Sequence, residues 1–420
     1  MARVYFGTDG VRGVVGEKIT PALLERLGKA AALWSRRGRV FVGRDTRASG
    51  PDLEEALARG VVAAGGSAVL GGILPTPAVA LLALDLGAVI TASHNPPHYN
   101  GVKFFDRDGR KLTDAQEEEI EALLTAEGRG GGEVDRVSVA PDSYLEHLVE
   151  WFGSDLSNLT IGVDCANGAY SEIAPKAFER LGARVHAIGV GPNGSNINLG
   201  CGATDLRLLQ ETVVAHELDL GVAFDGDGDR MLAVDGLGNA VDGDQIMAIL
   251  ALHLGVDRVA VTVMSNLGLK RVLEQNGIEV FTTPVGDRYV LEALHEHGAL
   301  LGGEQSGHLI YLRDHVTGDG LAAAMLLCDA IRGTTLADAV RVMPKFPQVK
   351  ENVPLPANGL PPTLDDEVAR LNAELDGVAR VLVRPSGTEP LVRLLAEAPT
   401  EDEARALCAR IAALVTRQLG

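Results

Sequence analysis

Residues 39–72 read RVFVGRDTRASGPDLEEALARGVVAAGGSAVLGG. A β-branched run opens the stretch and a polar turn with Gly and Pro follows. An amphipathic segment then runs to a glycine stop, and a second apolar run closes it. That order predicts a βαβ unit, two parallel strands joined by a crossover helix. The plan recurs in residues 159–190, LTIGVDCANGAYSEIAPKAFERLGARVHAIGV, and in residues 258–285, RVAVTVMSNLGLKRVLEQNGIEVFTTPV. The copies lie about 100 residues apart, the spacing of whole domains and not of solenoid repeats.

The tail departs from the plan. ARVLVRPSGTEPLVRLLAEA (379–398) predicts two strands around a loop, and TEDEARALCARIAALVTRQLG (400–420) predicts a helix. Thr400 and Glu403 form a capping box there, and Ala404, Leu407, Ile411, Leu414 and Val415 keep helical spacing. The proline-rich segment 344–362 reads as a linker. The expected fold is therefore α/β: three similar α/β domains with mixed parallel sheets plus a smaller C-terminal α+β domain. The expected borders are 1–150, 151–241, 242–350 and 351–420. Ligands belong at the carboxyl ends of the strands, where domains meet.

The bulk numbers agree with this class. The chain has 420 residues, of which 46% are hydrophobic and only 4% aromatic, with 50 glycines. A formal net charge of −19 argues against nucleic acid and anionic membrane as partners, and obliges any anionic substrate to find a local basic cluster. Cys165, Cys201, Cys328 and Cys408 are scattered without a CxxC pair, as reduced thiols of a cytoplasmic enzyme would be. The first residues carry no apolar signal-peptide core. Residues 61–92 are mostly apolar, but Pro75, Pro77, Asp85 and several glycines interrupt them, which favours two buried strands and a helix over a membrane span.

The chemistry concentrates in short loops. Thr91-Ala92-Ser93-His94-Asn95-Pro96 follows the apolar run LDLGAVI, so Ser93 sits in a crevice position beside a histidine but with no triad in view. FDGDGDR places Asp225, Asp227 and Asp229 at alternate positions behind another apolar run. Three carboxylates this close repel one another unless a cation neutralises them, and a hard divalent ion, Mg²⁺, is the natural partner. An EF-hand loop would need glycine and glutamate where Arg230 and Gly236 stand. A solvated acidic turn is the plainer alternative, though DGDGD is denser than turn chemistry requires. An Mg²⁺ ion held by three carboxylates takes its remaining ligands from phosphate and water, which points back to Ser93.

Phosphate also suits VRPSGTEPLVR. There Ser386, Gly387 and Thr388 can aim backbone N–H groups and hydroxyls at an anion between Arg384 and Arg393. A simple hairpin turn explains the glycine and proline equally well. In GGEQSGH, Glu304 and Ser306 could hydrogen-bond adjacent sugar hydroxyls, and His308 is either an acid/base group or a structural histidine. Arg12 in FGTDGVRG and Lys103 in YNGVKFF would offset phosphoryl charge, or are surface charges.

Taken together, FGTDGVRG, TASHNP, DGDGDR, GEQSGH and RPSGTEP, in that order and over essentially the whole chain, resemble the α-D-phosphohexomutase family. The resemblance implies a four-domain, heart-shaped enzyme with a central cleft. It implies that Ser93 is phosphorylated in the resting form, with one Mg²⁺ between phospho-Ser93 and Asp225, Asp227 and Asp229. FGTDGVRG, NINLGCGATD, VGDRYV and Gln305 resemble the branch that converts glucosamine 6-phosphate to glucosamine 1-phosphate, with glucosamine 1,6-bisphosphate as intermediate and activator. That product feeds UDP-N-acetylglucosamine and cell-wall synthesis. The implied roles are charge neutralisation by Arg12, Lys103 and Arg230 and proton carriage by Lys103 and His308. Arg384, Ser386, Gly387, Thr388 and Arg393 would grip the distal phosphate, and Glu304 and Ser306 would read the sugar. The implied partner is a small sugar phosphate, bound by a monomer or homodimer. One departure stands out: Tyr99 replaces the family's usual aspartate before Asn-Gly. The same machinery on mannose or glucose phosphates, or a metal-dependent phosphatase passing phospho-Ser93 to water, are the rival readings.

Overall fold

The stretch 39–72 folds as its pattern predicts: strand Arg39–Arg44, helix Gly50–Ala63, strand Ser67–Ile73, the two strands parallel. The computed structural model describes residues 4–7, 9–36, 38–128, 130–354, 363–375, 377–385 and 391–419. The chain divides into two units, Met1–Met264 with Ile278–Arg341, and Ser265–Gly277 with Val342–Gly420.

In the first unit, the first sheet has the order Val11–Val14, Tyr99–Asp106, Leu86–Ile90, Arg39–Arg44, Ser67–Ile73, Val134–Arg136. Tyr99–Asp106 runs antiparallel to both of its neighbours and the remaining neighbouring pairs are parallel, so the sheet is mixed as expected. Leu86–Ile90 is buried along its whole length, which is why it reads as an unbroken apolar run. The segment 61–92 resolves into strand Ser67–Ile73, helix Thr76–Leu81 and strand Leu86–Ile90. Among the described residues no helix is long and apolar enough to cross a membrane. Helices Pro21–Trp34 and Gly50–Ala63 cross closely because glycine occupies the contact: a Cβ on Gly60 would lie 1.9 Å from the Glu25 carbonyl oxygen.

The second repeat builds a sheet ordered Ala240–Val241, Met231–Asp235, Leu220–Phe224, Thr160–Asp164, Arg184–Ile188. The third builds Glu279–Thr283, Arg258–Thr262, Leu301–Gly303, Leu309–Tyr311. In both, the βαβ strands are parallel and a hairpin adds antiparallel strands.

The second unit holds an antiparallel sheet ordered Gln348–Pro354, Leu391–Glu397, Arg380–Pro385, with helices Thr363–Glu374 and Glu401–Leu419. Leu364, Leu371, Val381, Val392, Ala404, Leu407 and Ile411 share its core. The capping box is present, Thr400 Oγ1 accepting from Glu403 N at 3.3 Å and Glu403 Oε2 from Thr400 N at 3.1 Å. Two features differ from expectation. The linker segment contains the strand Gln348–Pro354, which spans the expected 350/351 border. Pro354 stands at its end and Pro344 and Pro347 ahead of it, where an edge strand tolerates them, while 355–362 of that segment lie outside the described residues. The crossover helix of the third repeat, Leu267–Gln275, belongs to this unit: Asn266 Nδ2 donates to the Phe346 carbonyl at 2.9 Å, and Leu267 N donates to Glu397 Oε1 at 3.3 Å.

Candidate active site

Both candidate loops leave the carboxyl ends of buried parallel strands, Ser93 behind Leu86–Ile90 and the aspartates behind Leu220–Phe224. Ser93 has a φ of 50°, in the left-handed region that serine seldom adopts. Its Oγ donates to Asp225 Oδ2 at 2.6 Å, joining residues 132 positions apart. His94 Nδ1 lies 3.2 Å from the same oxygen. Burial, then Arg230 and Arg12, lower the His94 pKa to about 4, so its ring is neutral.

Asp225, Asp227 and Asp229 are buried, and one carboxylate oxygen from each lies within 4.8 Å of the others. Asp225 Oδ1 accepts from Arg230 N at 3.2 Å. Asp227 Oδ2 accepts from Thr76 Oγ1 at 2.6 Å and from Lys103 Nζ at 2.9 Å. The remaining oxygens, Asp227 Oδ1 and Asp229 Oδ1, are buried without a hydrogen-bond partner among the described residues. Burial, then repulsion from Asp229 and Asp227, pushes the Asp225 carboxyl well above the usual carboxylate range. A hard divalent ion would satisfy the orphaned oxygens and relieve the penalised carboxylate, so these residues fit one.

Around the triplet runs a chain of charges. Lys103, on the strand Tyr99–Asp106, bridges Asp227 and Asp229, each at 2.9 Å, and reaches Asp9 at 3.3 Å. Burial works against its ammonium, but Asp227, Asp229 and Asp9 outweigh burial and hold it charged. Arg12 pairs with Asp9. Lys111 pairs with Asp9 at 2.8 Å and with Asp287. His308 lies between Asp287, 3.3 Å from Nε2, and Asp229, 3.7 Å from Nδ1. Burial opposes its protonation, yet the two carboxylates raise its pKa overall. Glu304 Oε1 accepts from Gly286 N at 3.0 Å, while Ser306 is exposed on the turn ahead of strand Leu309–Tyr311.

The structure thus brings together Ser93, Arg12, Lys103, the three aspartates, Arg230 and His308. Arg384 and Arg393 lie in the second unit, directly opposite each other on adjacent strands. Burial, then Arg393, lowers the Arg384 pKa. Like charges in cross-strand register disfavour pairing unless an anion joins them. Ser386, Gly387 and Thr388 lie outside the described residues.

Sequence reasoning passed over Asp9, Lys111 and Asp287, and also Arg47 and Asn198, both of which donate to the Ser93 carbonyl oxygen, at 2.8 and 2.9 Å. The usable signal for Arg47 was its place in the polar turn GRDTR behind a parallel strand. Position 99 contributes its carbonyl oxygen, which accepts from Arg47 Nη1 at 3.0 Å, a contact that does not depend on which side chain stands there.

A serine hydrogen-bonded to a buried aspartate triplet, on tandem α/β units, is a phosphohexomutase arrangement. The phosphoglucomutase/phosphomannomutase models agree: alpha/beta/alpha domain I matches residues 3–130, domain II 142–238, domain III 242–346 and the C-terminal domain 338–414. The chain belongs to this family of intramolecular phosphotransferases. It is 48% identical to the phosphoglucosamine mutase of Moorella thermoacetica over 95% of this chain and 96% of that one. It is 47% identical to the phosphoglucosamine mutase of Thermobifida fusca, over 99% and 98%. Among solved structures, a phosphoglucomutase/phosphomannomutase family protein from Burkholderia thailandensis superposes with a TM-score of 0.83 at 26% identity, covering 98% of this chain and 96% of that one.

Proposed function

We propose that the protein interconverts glucosamine 6-phosphate and glucosamine 1-phosphate through phospho-Ser93 and glucosamine 1,6-bisphosphate. The observation that carries this reading is Ser93 Oγ at 2.6 Å from Asp225 within a buried carboxylate triplet that Lys103 bridges. Full-length relatives at 48% and 47% identity that are phosphoglucosamine mutases favour the amino sugar over glucose or mannose phosphates.

Asp225, Asp227, Asp229 and phospho-Ser93 are the groups that would hold one Mg²⁺. When bound, the ion offsets their charge and that of the transferring phosphoryl group. The chain's own residues do the rest. The P–O bond to Ser93 Oγ breaks as a P–O bond forms to the free sugar hydroxyl. The proton lost by that hydroxyl is balanced by one delivered to Ser93 Oγ, with Lys103 and His308 as the carriers. Arg12 and Arg230 flank the transferring group, and little covalent work is asked of the protein beyond positioning and neutralisation. Glu304 and Ser306 read the sugar hydroxyls. Arg384, Ser386, Gly387, Thr388 and Arg393 grip the second phosphate, so the bisphosphate stays held while it reverses. These roles follow a division of the chain near residues 150 and 241 and, third, ahead of the strand Gln348–Pro354.

The experiment compares glucosamine, glucose and mannose 6-phosphates, measuring sugar 1-phosphate and inorganic phosphate in one reaction. Mass spectrometry of the Ser93 peptide runs alongside. Phosphate on Ser93 and fastest turnover of the glucosamine ester are expected. Stoichiometric release of inorganic phosphate without glucosamine 1-phosphate would overturn the mutase reading.

A further inference from the structure

Arg47 is a fully buried guanidinium that touches neither the aspartate triplet nor Ser93 Oγ. A guanidinium has five N–H donors, and each of these finds an acceptor. Nε donates to Asp45 Oδ2 at 2.9 Å. Nη1 donates to the carbonyl oxygens of Pro96 and Tyr99, at 2.5 and 3.0 Å. Nη2 donates to those of Ser93 and Asn95, both at 2.8 Å. The four carbonyls all belong to the Ser93 loop and its exit into the next strand.

Asp45 closes the circuit. Its Oδ2 also accepts from Thr91 Oγ1 at 2.7 Å, and Thr91 Oγ1 accepts from Ser93 N at 2.9 Å. Asn198 Nδ2 makes a second donation to the Ser93 carbonyl, at 2.9 Å. Both backbone polar groups of Ser93 are therefore tied to one buried, mutually neutralising Asp45–Arg47 pair. The residue so tied is the one whose φ lies at 50°.

We propose that Arg47, with Asp45, Thr91 and Asn198, is a positioning device that locks the left-handed backbone of Ser93 and so fixes the line along which its phosphoryl group is transferred. The inference rests on the phosphoserine mechanism above. The Ser93 side chain alternates between a hydroxyl and a phosphoester carrying about −1.5 to −2 charge. A loop free to relax after each transfer would present Oγ differently in its two states. A fork that holds four carbonyls at once prevents that without contacting the phosphate. Lysine cannot replace it, because an ammonium is a point charge without the planar fork.

The test uses the full-length enzyme charged with glucosamine 1,6-bisphosphate, comparing wild type, Arg47→Lys and Asn198→Ala. The readouts are rapid-quench transfer from phospho-Ser93, steady-state kcat and KM, and the ³¹P resonance of the phosphoserine. A misplacement near 1 Å at a reacting centre costs about a hundredfold. Arg47→Lys should therefore lose about a hundredfold in transfer rate and kcat with KM almost unchanged, and its ³¹P line should broaden or split. Asn198→Ala leaves no buried charge unpaired and adds only the strain of alanine at the left-handed φ of 58° that Asn198 holds, so it should still fold and lose about tenfold in transfer rate. A role confined to stability would leave kcat and the ³¹P line of the folded fraction untouched. Either variant, once folded, transferring at the wild-type rate with a wild-type resonance overturns the proposal. If Arg47→Lys fails to fold, Asn198→Ala decides alone. A wild-type Ser93 that never carries phosphate removes the mechanism itself, and the positioning proposal falls with it.

Discussion

Replacing Gly228 with alanine should damage the aspartate loop far more than the same change at Gly226, although both glycines separate aspartates in one DGDGD run. Gly228 has a φ of 77°, and a Cβ there would lie 2.3 Å from Tyr170 Cε2. The ring cannot yield. Tyr170 is fully buried, its hydroxyl lies 2.7 Å from that of Tyr144 and donates to Asp319 Oδ1 at 2.8 Å, and its ring packs edge-on to Phe224. The left-handed backbone costs an alanine about 1–2 kcal/mol, and overpacking a rigid neighbour adds about 1–3 kcal/mol. Gly228→Ala should therefore lose about 2–5 kcal/mol. A Cβ on Gly226 meets side-chain ends, Ile197 Cδ1 at 2.6 Å and Asn198 Nδ2 at 2.8 Å, and no positive φ is involved. The Asn198 amide, which donates to the Ser93 carbonyl, is held less firmly than Tyr170. A side-chain end can shift, so Gly226→Ala should lose about 1 kcal/mol. Denaturant midpoints of the EDTA-treated proteins measure the difference, and calorimetric Mg²⁺ titration should show weaker binding by Gly228→Ala as its loop is displaced. Equal midpoints for the two variants, or a wild-type midpoint for Gly228→Ala, would refute the claim that Tyr170 is a fixed wall behind the loop.

Asp227→Asn keeps the shape of a side chain that accepts from Thr76 and Lys103 but removes one charge from the triplet. Losing a charge-assisted contact of about 1.5–3 kcal/mol should weaken Mg²⁺ binding about ten- to a hundredfold, as read by calorimetry. Burial, then His315, lowers the pKa of half-buried His147, with Asp319 and Asp314 opposing. The unfolded chain then binds more protons at this site just below the ordinary histidine range, so His147 costs stability as pH falls from about 7 to about 5. His147→Gln should lose less stability over that interval than wild type, measured by denaturation at both pH values.

The parts of the molecule legible in the sequence are those with a local pattern. Val40 to Val42 and Leu86 to Ile90 are buried on both faces and so read as apolar runs, and the glycine stops mark where helices end. The aspartate triplet and Ser93 were visible because each sits in a dense short loop behind such a run. What stayed hidden is held by long-range pairing. Lys111 and Asp287 are 176 residues apart, and Arg47 reaches Ser93 across 46. No periodicity records those contacts. The strand Gln348–Pro354 was hidden for another reason. Its prolines suggest a linker, but Pro354 ends the strand and the others flank it, so no ladder hydrogen bond is lost inside. Helix Leu267–Gln275 follows the βαβ pattern faithfully, yet it packs with residues 342–420 through Asn266 and Leu267, a choice its amphipathic face alone cannot specify.

Charge balance explains why so acidic a chain can handle phosphate. Asp9, Asp225, Asp227, Asp229 and Asp287 face Arg12, Lys103, Lys111 and Arg230, with His308 between two of the carboxylates. Lysine and arginine would be ejected from so dry a place by desolvation alone. The aspartates reverse that, holding Lys103, Lys111, Arg12 and Arg230 more firmly charged than in water despite their burial. The cations are thus stored in position beside Ser93, already neutralised by carboxylates. A divalent cation at the triplet and a phosphate dianion on Ser93 would then enter as a pair whose charges cancel, leaving the balance of the buried cluster as it stands. The net charge of −19 does not prevent this, because what a buried phosphoryl group meets is this local arrangement, and the exposed acids act on it only through screening water.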